Sequence, residues 1–106
     1  MPSKPIQTIT IFSGSADHLR AAYVQGAWEL GAVLAERGLT LVFGGGKTGL
    51  MGAVADGALA KGGQVVGVIN ESLNTPTLAH AGLSRMEVLP DLHTRKARMS
   101  ALADAY

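Results

Sequence analysis

The chain has 106 residues, with 9 basic and 8 acidic side chains and no cysteine. That is one domain's worth of chain, able to bury roughly two-thirds of its surface. Balanced charge offers no broad field to nucleic acid or an anionic membrane, and the lack of cysteine excludes disulfides, thiolate metal sites and a cysteine nucleophile.

The opening "MPSKPIQTITIF" lacks the apolar core of a signal peptide, and no run approaches a membrane span. A soluble cytoplasmic protein is expected. Within it, Gln7–Phe12 reads as a strand ending at Ser13-Gly14-Ser15. Asp17 is the expected N-cap of a helix from His18 to Arg37, with Tyr23, Ala27, Leu30 and Leu34 on one stripe and Gly38 as its stop.

A second strand, Leu39–Phe43, runs into "VFGGGKTGLMG". The P-loop reading fails here. Gly46-Lys47-Thr48 supplies the end of that motif, but its opening glycine would fall on Leu41, inside an apolar run. The dinucleotide pattern fits better. Gly44, Gly46 and Gly49 satisfy G-x-G-x-x-G between a strand and a helix, and Glu71 lies where a ribose-binding acid is expected, about 20 residues on. Glycines let backbone approach a ligand, and a helix N-terminus offers unpaired N–H groups to phosphate. The alternative is a tightly packed turn that binds nothing.

The helix that follows, about Leu50 to Lys61, is apolar nearly all round, so it must be buried on two sides. Gly62-Gly63 ends it. "QVVGVI" is a third strand, continuously apolar as suits a parallel sheet covered on both faces. A loop over residues 70–85 and a short strand, "MEVLP", lead to a last helix from Leu92 to about Asp104, capped by Asp91. The alternation predicts a doubly wound, Rossmann-like α/β fold over residues 1–106, with a parallel sheet and right-handed crossovers. The chain stops at "LADAY", where such a domain continues into another strand, so it reads as interrupted, with its first strand left as an open apolar edge.

In the last helix, Leu92, Met99 and Leu102 form an apolar arc, and Arg95 projects from its middle with Lys96 and Arg98 at the flanks. A guanidinium facing a core needs an anion, and no acidic residue nearby in sequence supplies one. A phosphate or carboxylate would satisfy it, held bidentately. His93 reads as a solvent-facing first-turn residue, and His18, His80 and His93 lack metal-ligand spacing.

Several of these stretches resemble, in order, the Lonely Guy (LOG) family of cytokinin riboside 5′-monophosphate phosphoribohydrolases. "IFSGS" is similar to the family's Phe-Cys-Gly-Ser-Ser turn, with Ser13 in the cysteine's place. "LVFGGGKTGLMGAVADGAL" resembles its Gly-Gly-Gly-x-x-Gly-Leu-Met-Gly segment, and "GGQVVGVIN" its third strand, with Asn70 where proline is common. "VLPDLHTRKARM" looks like its Met-His-x-Arg-Lys-x-x-Met helix, with Leu92 for the first methionine.

The resemblance implies a homodimer that cleaves the N-glycosidic bond of adenine-type nucleoside monophosphates without a metal or other cofactor. By position, Arg95 would be the catalytic arginine and Lys96 a binding neighbour, with Ser15, Gly45 and Gly46 lining the nucleotide. Where the family has a substrate-contacting glutamate, eighteen residues before the arginine, this chain has Thr77. The family's Pro-Gly-Gly-x-Gly-Thr-x-x-Glu loop, with its catalytic glutamate, is expected beyond Tyr106. A non-catalytic nucleotide or molybdenum-cofactor carrier of the same architecture is the alternative. A dehydrogenase fits least, because the fingerprint follows the second strand rather than the first.

Overall fold

In a computed structural model of the chain, residues 7–11, 21–47 and 49–104 are described. They form one four-stranded parallel sheet, ordered β1 (Thr8–Thr10), β2 (Thr40–Phe43), β3 (Val65–Asn70) and β4 (Arg85–Leu89). The helices are α1 (Ala21–Glu36), α2 (Gly49–Ala60) and α3 (Leu92–Leu102), and a 3-10 turn over Glu71–Leu73 interrupts the long connection. The expected Asp17 cap and the "IFSGS" turn beyond Ile11 lie outside the described residues. No helix among the described residues is long and apolar enough to cross a membrane.

The strands advance in one direction from β1 to β4, so right-handed crossovers place α1 and α2 on the same face. Alternation along the strands sorts the side chains. Leu41, Phe43 and Val65 point to the α1/α2 face and pack with Leu34, Val54, Ala55 and Ala58. Val42 and Val68 point the other way, onto Met99 of α3. Helix α3 returns across that second face to the edge where the sheet began. Thr10 Oγ1 donates to the Met99 carbonyl (2.8 Å), and the Asp104 carboxylate accepts from the amides of Gln7 and Thr8 (3.0 Å each). Helices on both faces and a reversal of direction make the sheet doubly wound. The first strand lies at the edge, as expected, with Asp104 seated against it.

Helix α2 has its two buried sides, one against the sheet and the other against α1. The crossing is close because it is built from glycine. A Cβ at Gly31 would run into the Val54 carbonyl, and one at Gly57 into the Trp28 carbonyl. This close approach turns the small-residue side of α1 inward, with Gly31, Ala32 and Leu34 buried. The expected stripe is therefore split: Leu34 is inside and Ala27 half-buried, but Tyr23 and Leu30 are exposed, along with Val33. On α3, Leu92 likewise faces solvent, while Met99 is buried and Leu102 half-buried. Both helix stops hold. Gly38 and Gly62 close α1 and α2, with the Leu39 amide reaching back to Leu34 and the Gly63 amide to Ala58.

Candidate functional site: a guanidinium at the strand ends

Asp91 starts α3 as the sequence predicts. Its carboxylate accepts from the Thr94 amide (2.8 Å) and the Thr94 hydroxyl (2.9 Å). The backbone bond from Thr94 holds the Asp91 carboxyl below its usual range. That cap fixes the helix so that Arg95, one turn in, lies over the C-terminal ends of β2 and β3.

There the Arg95 fork meets three oxygens. Nε donates to the Val68 carbonyl (2.8 Å), one terminal nitrogen to Asn70 Oδ1 (3.2 Å), and the other to the Gly44 carbonyl. A Cβ at Gly44 would press on the guanidinium and on the end of the Met51 side chain, and both would have to shift to admit it. The residue is half-buried, and burial lowers its pKa, though an arginine stays charged across the biological range. All three partners are uncharged. The sequence argument had Arg95 needing an anion; here strand-end carbonyls and an amide accept three bonds from its five N–H groups. Its charge remains, with no carboxylate paired to it among the described residues.

The glycine loop beside it is clamped to the segment after the 3-10 turn. Gly46 bridges Ala79, the Gly45 carbonyl accepts from the His80 amide (2.8 Å), and the Lys47 amide donates to the Leu78 carbonyl (3.0 Å). Gly45 sits at φ +80° against Met86 and Ile69, which a side chain would find strained and filled. Lys47 Nζ reaches over the turn to the Pro76 carbonyl (2.7 Å), next to the exposed Thr77. A groove of about 580 Å³ opens along this segment, with Met86 and Val88 of β4 and Pro76 and His80 among its lining residues.

Of the predicted site residues, the structure brings Arg95 against Gly44, the neighbour of Gly45 and Gly46, while Thr77 follows Pro76, whose carbonyl accepts from Lys47. No hydrogen bond among the described residues joins Thr77 or Lys96 to Arg95; Lys96 is exposed on α3, and Ser15 lies outside the described residues. Glu71 stands exposed just past β3.

Two features escaped sequence reasoning. Asn70 was visible only as an oddity at the end of a strand. His80, noted as one of three scattered histidines, pairs with Asp56 of α2 (Nε2 to Oδ1, 2.6 Å), while its Nδ1 accepts from the Gly82 amide (3.0 Å). That second bond assigns the proton to Nε2. No sequence signal links residues 56 and 80; only the folded loop does.

A doubly wound parallel sheet with a cation and a glycine loop at its strand C-termini defines a Rossmann-like α/β protein, whose ligands bind at that end. The chain belongs to the SLOG cluster4 family, whose model matches residues 7–96. It is similar to the cytokinin riboside 5′-monophosphate phosphoribohydrolase of Rhodococcoides fascians, 44% identical over 94% of this chain and 51% of that protein. The corresponding enzyme LOG of Oryza sativa subsp. japonica is 40% identical over 92% of this chain and 40% of its own length. The chain thus spans about half the length, or less, of the curated relatives it matches.

Among solved structures, a molybdenum cofactor binding protein from Rippkaea orientalis superposes with a TM-score of 0.77 over 97% of this chain and 63% of that one, at 23% identity. That likeness carries the fold alone. The molybdenum cofactor carrier protein of Chlamydomonas reinhardtii matches with a TM-score of 0.63 and 28% identity, over 77% of this chain and 48% of its own.

Proposed function

We propose that this chain forms the nucleotide-facing part of a nucleoside 5′-monophosphate phosphoribohydrolase. The enzyme would split the N-glycosidic bond of AMP or a cytokinin riboside monophosphate into free base and ribose 5-phosphate. One observation carries the reading: Arg95 is rigidly held at the strand ends by uncharged acceptors, so its charge is left for an anionic substrate. The relatives named for this reaction, at 44% and 40% identity, supply the substrate class.

In this reading Arg95 is the catalytic arginine. Gly45, Gly46 and Ser15 line the nucleotide, Lys96 adds a second positive charge from the next position of α3, and Thr77 contacts substrate from the turn after Pro76. Glycosidic cleavage through an oxocarbenium-like transition state also calls for a carboxylate to handle water. We place that group on a loop of the full-length protein outside residues 7–104. No metal or redox cofactor takes part.

Homodimer formation belongs to the same proposal. Its surface is the outward stripe of α1, where Tyr23 is 59% exposed and Leu30 46%. A dimer by light scattering that Leu30→Glu disrupts would support it; a wild-type monomer would not.

The deciding experiment is release of adenine from AMP, and of free base from cytokinin riboside monophosphates, by full-length protein. Failure with both substrates rejects the hydrolase. The likeness to the Chlamydomonas carrier favours a second reading, a binding module that holds a phosphorylated ligand intact. Stoichiometric recovery of unaltered ligand from the purified protein would select it.

A further inference from the structure

Asn70 ends β3 with its side chain buried, 8% exposed. Its carbonyl oxygen accepts from Arg95, and its amide nitrogen donates to Ser72 Oγ (2.6 Å) in the 3-10 turn. The second bond matters to the first. A guanidinium offers only donors, so a flipped Asn70 would set an NH₂ group against it. Ser72 holds the amide in the one orientation that fits Arg95.

The other two acceptors on Arg95 are main-chain carbonyls, which no substitution can charge. Among the described residues Asn70 is therefore the one side chain on the fork, and the one place where a carboxylate could neutralise it. Aspartate has nearly the same shape. It would accept the Arg95 bond as an ion pair, and Ser72 could turn its hydroxyl to donate to the other oxygen. By geometry the position admits either residue; only the charge differs.

We propose that Asn70 is a positioning residue of the anion site, fixing the plane of the Arg95 guanidinium while leaving its charge unspent for the substrate's anionic group. This rests on the functional reading above. It adds a requirement which that reading lacks: the acceptor at position 70 must be neutral as well as correctly placed.

The test uses full-length protein, with ribose 5-phosphate as the probe in calorimetric titrations and thermal melts run in parallel. Asn70→Asp is expected to bind at least roughly tenfold more weakly than wild type while its Tm stays level or rises. Asn70→Ala is expected to lose less affinity, about threefold, and to melt lower than wild type. Affinity then falls in the order Asn, Ala, Asp, while stability does not follow that order. A merely structural role would make the two run together.

Equal binding by Asn70→Asp and wild type overturns the inference, as does affinity that simply tracks Tm. If wild type hydrolyses AMP while Asn70→Asp binds and turns over normally, the inference falls and the function stands. If wild type neither hydrolyses AMP nor takes up ribose 5-phosphate, both fall.

Discussion

The two faces of the sheet are built to different ends. On one, α1 and α2 cross at glycine, backbone nearly touching backbone, over Leu41, Phe43 and Val65. On the other, a single helix covers a smaller apolar cluster of Val42, Val68 and Met99, and polar groups fill the remaining space: Thr10, Asn70 and Arg95. A face closed by packing has no room for a ligand. A face that half-buries a cation among neutral acceptors holds something for chemistry. Stability should therefore respond most to changes on the first face, and activity to changes on the second.

The largest effect expected is on activity. Arg95→Ala should lower AMP hydrolysis by full-length protein roughly a hundred- to a thousandfold, the range for losing one preorganised charge-stabilising donor. Its unfolding midpoint in urea should fall only modestly, because water entering the space left by the guanidinium can meet the acceptors on Gly44, Val68 and Asn70, all buried in the native protein. A variant that unfolds early but keeps its turnover would break the contrast. Arg95→Lys should rescue little, since an ammonium cannot reach three divergent acceptors with a planar fork.

Gly31→Ala and Gly57→Ala probe the opposite face. Each adds one methyl group where a carbonyl oxygen already lies, so each should cost about 1–3 kcal/mol by denaturant unfolding, as overpacked cores do. The kinetics of the folded fraction should be unchanged. Should either substitution prove neutral, α1 and α2 do not pack as closely as described.

These two experiments also separate what the sequence disclosed from what it hid. The glycine loop, the Asp91 cap and the inward Arg95 were readable because each depends on neighbours within about one helical turn or one loop. The rest depended on register between distant segments. Which side of α1 faces inward was decided by Gly31 meeting Val54, residues on different helices, so the apolar stripe chosen from periodicity was partly turned outward. The partners of Arg95 lie 25 to 51 positions away along the chain. Their identity could not be inferred until the parallel order of β2 and β3 was known. The His80–Asp56 pair is hidden for the same reason.

A smaller effect tests the seam where α3 meets β1. Thr10 is fully buried, and its hydroxyl donates to the Met99 carbonyl. Thr10→Val keeps the shape and removes the donor, so it should cost about 1 kcal/mol in urea unfolding, the usual net value of such a bond. A neutral result would mean that α3 is held to the first strand mainly by Asp104 and Met99.

The smallest effect expected is also on the α3 face, and its sign can be fixed in advance. Glu87 of β4 accepts from Arg98 Nε (2.7 Å) and from Arg85 (2.7 Å), and the Arg98 hydrogen bond is the main cause holding its carboxyl below the ordinary range. A carboxyl lowered on folding adds stability that is present above its unfolded pKa and lost as pH falls through the folded one. Acid melts should therefore show Tm falling below the ordinary glutamate range, and Glu87→Gln should flatten that fall while leaving neutral-pH stability almost unchanged, because solvent-exposed arginines contribute little through such pairs. The Asp91 cap titrates in the same direction, its carboxyl lowered first by the Thr94 backbone bond. Some acid sensitivity should thus survive in Glu87→Gln, and the double variant with Asp91→Asn should flatten the fall further. If Glu87→Gln instead abolished hydrolysis at neutral pH, the pair would be setting the position of α3, and with it Arg95, and the two faces would differ less in stability than in the side chains they hold.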